Sequence, residues 1–240
     1  SIERGRGNNE EAENIMGNSF IMLVATGILL TLFGLLFKKP MLYMFGASDT
    51  TYPYANEYMT IYLLGNVFVM ISLGMNHFIN AQGFSRVGMM TVILGAVANI
   101  ILDPIFIFTL DMGVKGAAVA TVISQGLSFF FVIIIIIIKK LEVDLNILKY
   151  KFHVSYLTQI IQVGLPTMVM NFIGSITNIF LNKILMTADP SETANGVLVS
   201  YTKLQSFVFM PVFGLNQGGV PILSYNYGAK LKDRFKKAQK

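Results

Sequence analysis

The sequence predicts an all-α membrane protein with six transmembrane helices. Three observations lead to this prediction: only 13% of the 240 residues are charged, the mean hydropathy is +0.61, and the charges are bunched between long apolar segments. A soluble domain carries about 25% charged residues, so the composition excludes that class. A bilayer core about 30 Å thick needs about 20 apolar residues per helix, and six such helices fit within the chain.

The positions of the charges define the six predicted spans. They cover residues 20–37, 55–81, 87–110, 116–138, 160–186 and 195–227. The fourth span ends in the uniformly apolar run from Val132 to Ile138. Because this run contains no polar side chain that needs a partner, we expect it to face lipid.

The basic residues predict the orientation of these spans. Thirteen Lys and Arg residues lie in one set of loops and tails, and three lie in the opposite set. Because Lys and Arg accumulate on the cytoplasmic side, both termini are predicted to be cytoplasmic, with the protein in the cell (plasma or inner) membrane. The same distribution accounts for the net charge of +5, so we expect no nucleic-acid partner. The polar start contains no signal-peptide segment, and we expect it to be internal to a longer protein.

The sequence contains few residues that could catalyse a reaction. Cysteine is absent and only His77 and His153 occur, which excludes a thiol nucleophile and argues against a multi-histidine metal centre. No phosphate-binding loop or nucleophile elbow is present. A membrane enzyme acting on lipid-linked substrates would need clustered carboxylates or histidines, and none are clustered. We therefore expect a protein that is not an enzyme and has no resident cofactor or metal.

Asp103 is the only acidic residue well inside a predicted span, and such a carboxylate marks a functional site by default. Pro104 lacks an N–H, so the carbonyl of Ile100 loses its helical partner and a kink is expected. Asn99 precedes Asp103 by one turn and shares its face. At 1.5 Å per residue, Asp103 lies about 10 Å and Thr121 about 8 Å below the same surface. These residues predict a cation site, and the alternative is a carboxylate at a helix end or turn.

Further polar residues lie inside the other spans. Asn76 is expected to make a hydrogen bond between helices, although it also suits a pocket. Lys183 and Lys203 are expected to extend towards the outer interface. Asn171, Asn178 and Gln217 give the fifth and sixth spans an unusual polar content, and they either line a cavity or join helices.

Residues 139–162 predict a cytoplasmic amphipathic linker that ties two halves together. Its apolar residues recur at spacings of three and four, which is typical of a helix lying at a membrane surface. They are Leu145, Leu148, Phe152, Tyr156 and Ile160.

A short internal repeat indicates how the halves are built. Ser1-Ile2-Glu3-Arg4-Gly5 resembles Ser224-Tyr225-Asn226-Tyr227-Gly228, which lies 223 residues later. A pattern that recurs after six spans predicts two six-helix halves, a common construction of secondary transporters.

Several longer motifs resemble a known family. In chain order they are FGAS at 45–48, AQGFSR at 81–86, NIILDPIFIF at 99–108, MGVKGAAVATVISQ at 112–125, GLP at 164–166, PVFGLNQGG at 211–219 and YNYGA at 225–229. Together they cover most of the chain, and the sequence is identified by them as similar to the multidrug and toxic compound extrusion (MATE) transporters. The resemblance implies a twelve-helix, two-lobe fold, of which residues 1–138 would supply helices three to six and residues 163–240 helices seven and eight.

The resemblance also implies an activity and a site. The family exchanges lipophilic or cationic drugs for Na⁺ or H⁺, so the bilayer and such drugs are the expected partners, with no obligate protein partner. Its first-lobe cation site matches Asn99, Asp103 and Thr121, and a further polar position matches Asn76. The alternative is a lipid or polysaccharide-precursor flippase of the same fold. A flippase would be expected to line its cavity with several cationic groups, for which only Lys183 and Lys203 are available.

Overall fold

The structure is a computed structural model that describes residues 1–138, 153–188 and 193–239. Within these ranges it contains eight α-helices. They are α1 (Ile2–Gly5), α2 (Asn9–Met44), α3 (Tyr52–Ala81), α4 (Ser85–Pro104), α5 (Gly113–Ile138), α6 (Val154–Ala188), α7 (Thr193–Gly228) and α8 (Lys232–Ala238). A π-helical turn, Ile105–Thr109, follows α4 directly.

Six helices in the described part of the chain are long and apolar enough to cross a membrane, which confirms the predicted six spans. The first of these six helices, α2, begins at Asn9, well before residue 20, where the first span was predicted to begin. Asn8 caps it by accepting a hydrogen bond from the N–H of Glu11 at 3.3 Å. Glu10 and Glu11 occupy its first turn, where carboxylates interact favourably with the helix dipole. Charge therefore marks where the apolar span stops, while the helix continues beyond it.

The start of α6 is fixed against the start of α2. The Tyr156 hydroxyl donates to Glu11 at 2.9 Å, and the N–H of His153 donates to the side-chain oxygen of Asn18 at 3.2 Å. Tyr156 and Ile160, which belonged to the predicted linker, thus lie in the same helix as the fifth span. The remaining part of that linker, residues 139–152, lies outside the described residues.

Helices α2 to α5 pack into one bundle in which α3 contacts both α2 and α5, and α4 contacts α5. Its buried apolar centre comprises Met16, Ile71, Met75, Ile79, Val132 and Ile136. The prediction that the run of residues 132–138 faces lipid is wrong for Val132 and Ile136, which are 0% and 2% exposed. These two residues are four apart and share the face of α5 that joins this centre, whereas Ile134 and Ile137 are exposed.

The two segments of the internal repeat contact each other where α1 packs on α7. A Cβ atom placed on Gly5 would collide with the carbonyl oxygen of Tyr225, and one on Gly228 would collide with that of Ile2. Gly5 and Gly228 are equivalent positions of the repeat, as are Ile2 and Tyr225. The contact is therefore reciprocal, and glycine at both positions lets the two backbones touch.

The same backbone turn follows each glycine of this crossing. Both turns contain a residue at positive φ, Gly7 at 79° and Lys230 at 57°. The equivalent hydrogen bonds run from the N–H of Asn8 to the Glu3 carbonyl and from the N–H of Leu231 to the Asn226 carbonyl, both 3.0 Å. The repeat predicted from five residues thus extends into the backbone geometry that follows them.

Arg4 connects this crossing to α3. Its guanidinium donates to the carbonyl of Ala81 at 2.9 Å and lies 5.5 Å from the ring centroid of Tyr225. One side chain therefore contacts the ends of α3 and α7, so three helices meet at this end of the bundle.

Candidate functional site

Helices α3, α4 and α5 enclose a polar cavity of about 200 Å³. The polar lining residues lie about one turn apart on α3 and α5 and two turns apart on α4, so each helix presents one polar face to the cavity. The polar residues that line the cavity are Ser72, Asn76, Thr91, Asn99, Thr121, Ser124, Gln125 and Ser128. Because polar groups are costly inside an apolar bundle, their convergence on one space defines the candidate site.

Asp103 lies next to this cavity and is joined to it by Asn99. The amide nitrogen of Asn99 donates to a carboxylate oxygen of Asp103 at 3.1 Å. Asn99 lines the cavity, whereas Asp103 does not, and both side chains are partly buried. The predicted one-turn spacing therefore produces a direct contact, and Asn99 lies between the carboxylate and the cavity.

Pro104 acts on the helix in a way that the sequence did not specify. At Pro104, α4 passes into the π-helical turn, in which the N–H of Leu110 donates to the Ile105 carbonyl at 2.9 Å. Asp103 is the last residue but one of α4 and the π-helical turn follows at once, so it lies at the end of α4 but not in a loop. The turn packs closely on α5, because a Cβ on Gly116 would collide with the carbonyl of Phe106.

Thr121 lies on the opposite wall, on α5. Its hydroxyl donates to the carbonyl of Ala117 in its own helix at 2.8 Å, which leaves the oxygen lone pairs available to a cavity ligand. Asn99 and Thr121 line the same cavity, whereas Asp103, whose depth matched that of Thr121, does not line it. The structure thus brings Asn99 and Thr121 to one space and places Asp103 behind Asn99.

Asn76 makes the hydrogen bond between helices that was expected of it. Its amide donates to the Gly88 carbonyl of α4 at 2.8 Å and also to the Thr91 hydroxyl. Asn80, one turn further along α3, donates to the Asn76 oxygen at 2.9 Å. Asn76 therefore fixes one wall of the cavity as well as lining it.

Sequence reasoning missed three members of the site, Ser72, Thr91 and Ser128. Thr91 is 1% exposed, and its carbonyl accepts a hydrogen bond from the Ser128 hydroxyl at 3.0 Å, which joins α4 to α5. The missed signal was spacing. Ser72 lies one turn before Asn76, and Thr91 lies two turns before Asn99.

The remaining predicted pocket residues lie away from this cavity. Asn171 and Asn178 are exposed on α6, and Lys183 is also exposed there. Gln217 borders a different cavity of about 300 Å³, where α7 meets the end of α3. His77, which sequence reasoning assigned no role, lines that second cavity.

The sequence matches a family model and several curated proteins. Residues 1–105 match the family model described as MatE. Multidrug export protein MepA of Staphylococcus aureus (strain NCTC 8325 / PS 47) is 30% identical over 219 residues, which are 89% of this chain and 48% of that protein. The chain therefore spans about half the length of the curated relatives that it matches.

Two solved structures match nearly the whole chain. A multidrug resistance MATE family transporter of the MOP superfamily in an outward-facing conformation aligns with a TM-score of 0.89 at 27% identity, over 99% of this chain and 52% of that chain. A MATE structure in the bent conformation aligns with a TM-score of 0.86, also at 27% identity, over 99% and 53%.

Six helices long and apolar enough to cross a membrane, with a polar cavity inside the bundle, define a multi-pass α-helical membrane protein. The chain belongs to the MATE family, as its family-model match, its relatives and its structural neighbours show.

Proposed function

We propose that the protein takes part in secondary active multidrug export, exchanging lipophilic or cationic compounds for Na⁺ or H⁺ at Asn99, Asp103 and Thr121. The observation that carries this proposal is the hydrogen bond between Asn99 and Asp103 at the edge of the polar cavity. The matching relatives include proteins named as multidrug exporters, which supports the substrate class.

Asp103 suits the exchange of one positive charge for another. A carboxylate in an apolar bundle interacts strongly with either a proton or a metal cation, so the conformational preference of the bundle depends on whether that charge is bound. Hard cations such as Na⁺ take oxygen ligands. The side-chain oxygens of Asn99 and Thr121, together with the carboxylate, are of this type.

The composition of the cavity supports export of neutral or cationic compounds over the flippase alternative. A flippase that carries phosphorylated lipids needs cationic groups to bind phosphate. Among the described residues that line the cavity, none is Lys or Arg. Lys183 lies on α6, away from it, and Lys203 lines a separate cavity on α7.

Transport by the full-length protein in proteoliposomes tests the proposal. We expect an outwardly directed movement of a lipophilic cation such as ethidium when a Na⁺ gradient or a pH gradient is imposed alone, because the gradient supplies the free energy and ion binding at Asp103 couples it to export. The gradient that drives transport identifies the ion. Transport that runs equally without either gradient, or that needs ATP, would contradict the exchange.

We further propose that both termini are cytoplasmic, which the distribution of basic residues supports. The chain contains no cysteine, so single cysteines report position cleanly. Thr50 and Ser85 are exposed beyond opposite ends of α3. In intact cells a membrane-impermeant maleimide should label Thr50→Cys, whereas Ser85→Cys should react only after permeabilisation. The reverse pattern would invert the orientation.

A further inference from the structure

A groove of about 450 Å³ lies beside the α1–α7 crossing, outside the polar cavity. Four of the residues that line it are basic: Arg6, Lys230, Lys232 and Lys236. Its apolar wall includes the rings of Tyr227 and Phe235, whose centroids are 6.2 Å apart. We call this the basic groove.

The basic groove carries a net positive charge. Arg6 is ion-paired with Glu3 at 2.7 Å, so its charge is largely offset. Within the described part of the chain, Lys230, Lys232 and Lys236 are in no ion pair. Asp233 lies in the first turn of α8 but does not line the groove. Three lysines are therefore free to interact with an anionic ligand.

The internal repeat shows that Lys230 is not the residue that its backbone favours. It adopts a φ of 57°, in the left-handed region that L side chains rarely adopt. The equivalent turn of the first half has Gly7 at 79°, a conformation that glycine adopts readily. A lysine in place of the favoured glycine indicates that the ammonium group, rather than the turn, is what this position supplies.

The groove lies at the end of a helix that is long and apolar enough to cross a membrane. Tyr227 lies at the end of the membrane-crossing segment Gly196–Gly228, and the lysines follow directly. Arg6 lies three residues before the first residue of the helix Asn9–Met44. Aromatic rings and basic side chains at the end of a span are the groups that contact the glycerol region and the phosphate of lipids.

We propose that the basic groove binds the phosphate of an anionic glycerophospholipid, with Lys230, Lys232 and Lys236 around the phosphate and the lipid glycerol and upper chain against Tyr227 and Phe235. This site is separate from the cation and drug site, and it does not depend on the proposed export activity. A bound lipid would contact α7, α8 and the turn after α1 together, and so would hold the α1–α7 crossing closed.

The test measures lipid binding to the delipidated full-length protein in detergent by native mass spectrometry. The probes are dioleoylphosphatidylglycerol and dioleoylphosphatidylcholine, which share their acyl chains but differ in net charge. The key variant is Lys230→Gly. It introduces the residue type that Gly7 has in the equivalent turn, so it should not weaken the fold. Lys115→Ala is the matched control, since it removes one exposed positive charge at the start of α5 instead.

We expect phosphatidylglycerol to bind in preference to phosphatidylcholine. Because one basic residue near a membrane contributes about 1 kcal/mol, Lys230→Gly should weaken phosphatidylglycerol binding about fivefold, and Lys230→Gly with Lys236→Ala about 25-fold. Lys115→Ala should bind as the parent does. Equal affinity for the two lipids, or unchanged binding in both variants, would overturn the proposal. Inorganic phosphate that displaces phosphatidylglycerol at equimolar concentration would also overturn it, by assigning the groove to a free phosphate.

Discussion

Replacing Asp103 by Asn should strongly reduce coupled export while leaving the protein inserted and folded. The amide retains the size of the carboxylate and still accepts the hydrogen bond from Asn99, so the contact at 3.1 Å can persist. It cannot, however, bind a proton or neutralise Na⁺, so its charge is the same in every step of the cycle. A coupling free energy of 1–3 kcal/mol corresponds to about 5- to 150-fold, and a loss of that order is expected in gradient-driven transport.

Asp111→Asn provides a matched control for this experiment. Asp111 is exposed beyond the π-helical turn, and Asn tolerates its positive φ of 52°. The same chemical change should therefore leave transport intact eight residues away from the site. Drug binding by Asp103→Asn should survive, because lipophilic contacts do not need the charge. Gradient-driven transport by Asp103→Asn equal to that of the parent, at equal protein level, would show that Asp103 has only a structural role.

Much of this site could be predicted because polar residues are rare in the spans. Asp103 and Asn99 are one turn apart, and this spacing alone specifies that they meet. Thr91 and Ser128 were missed because a hydroxyl in an apolar helix is most often satisfied by its own backbone. Only the packing of α4 on α5 shows that Ser128 instead donates to the Thr91 carbonyl.

The features that could not be predicted are those for which the local sequence carries no distinguishing pattern. Residues 132–138 are uniformly apolar, so no periodicity marks the face that turns towards α3. Val132 and Ile136 are buried because of where neighbouring helices lie, which local sequence does not encode. In the same way, Pro104 predicts a disturbed helix but does not specify the π-helical turn that forms there.

The reciprocal crossing of α1 and α7 predicts a second large effect, a loss of stability in Gly228→Ala. The added methyl group would collide with the Ile2 carbonyl, which is backbone and cannot rotate away. Overpacking of this kind costs about 1–3 kcal/mol, so the thermal unfolding temperature of the full-length protein in detergent should fall. Gly214→Ala in the same helix is the control. No atom lies within 4 Å of its added Cβ, and replacing a helical glycine by alanine stabilises by about 0.5–1 kcal/mol.

The two substitutions are thus expected to change stability in opposite directions, although the chemistry is identical. The repeat adds a sharper test, because Gly5→Ala would collide with the Tyr225 carbonyl at the equivalent position of the same crossing. Once either alanine has separated the backbones, the other finds room, so the double variant should lose less stability than the two single losses added together. Additive losses would show that α1 and α7 do not form one reciprocal contact, and a Gly228→Ala variant as stable as Gly214→Ala would show that they do not touch there.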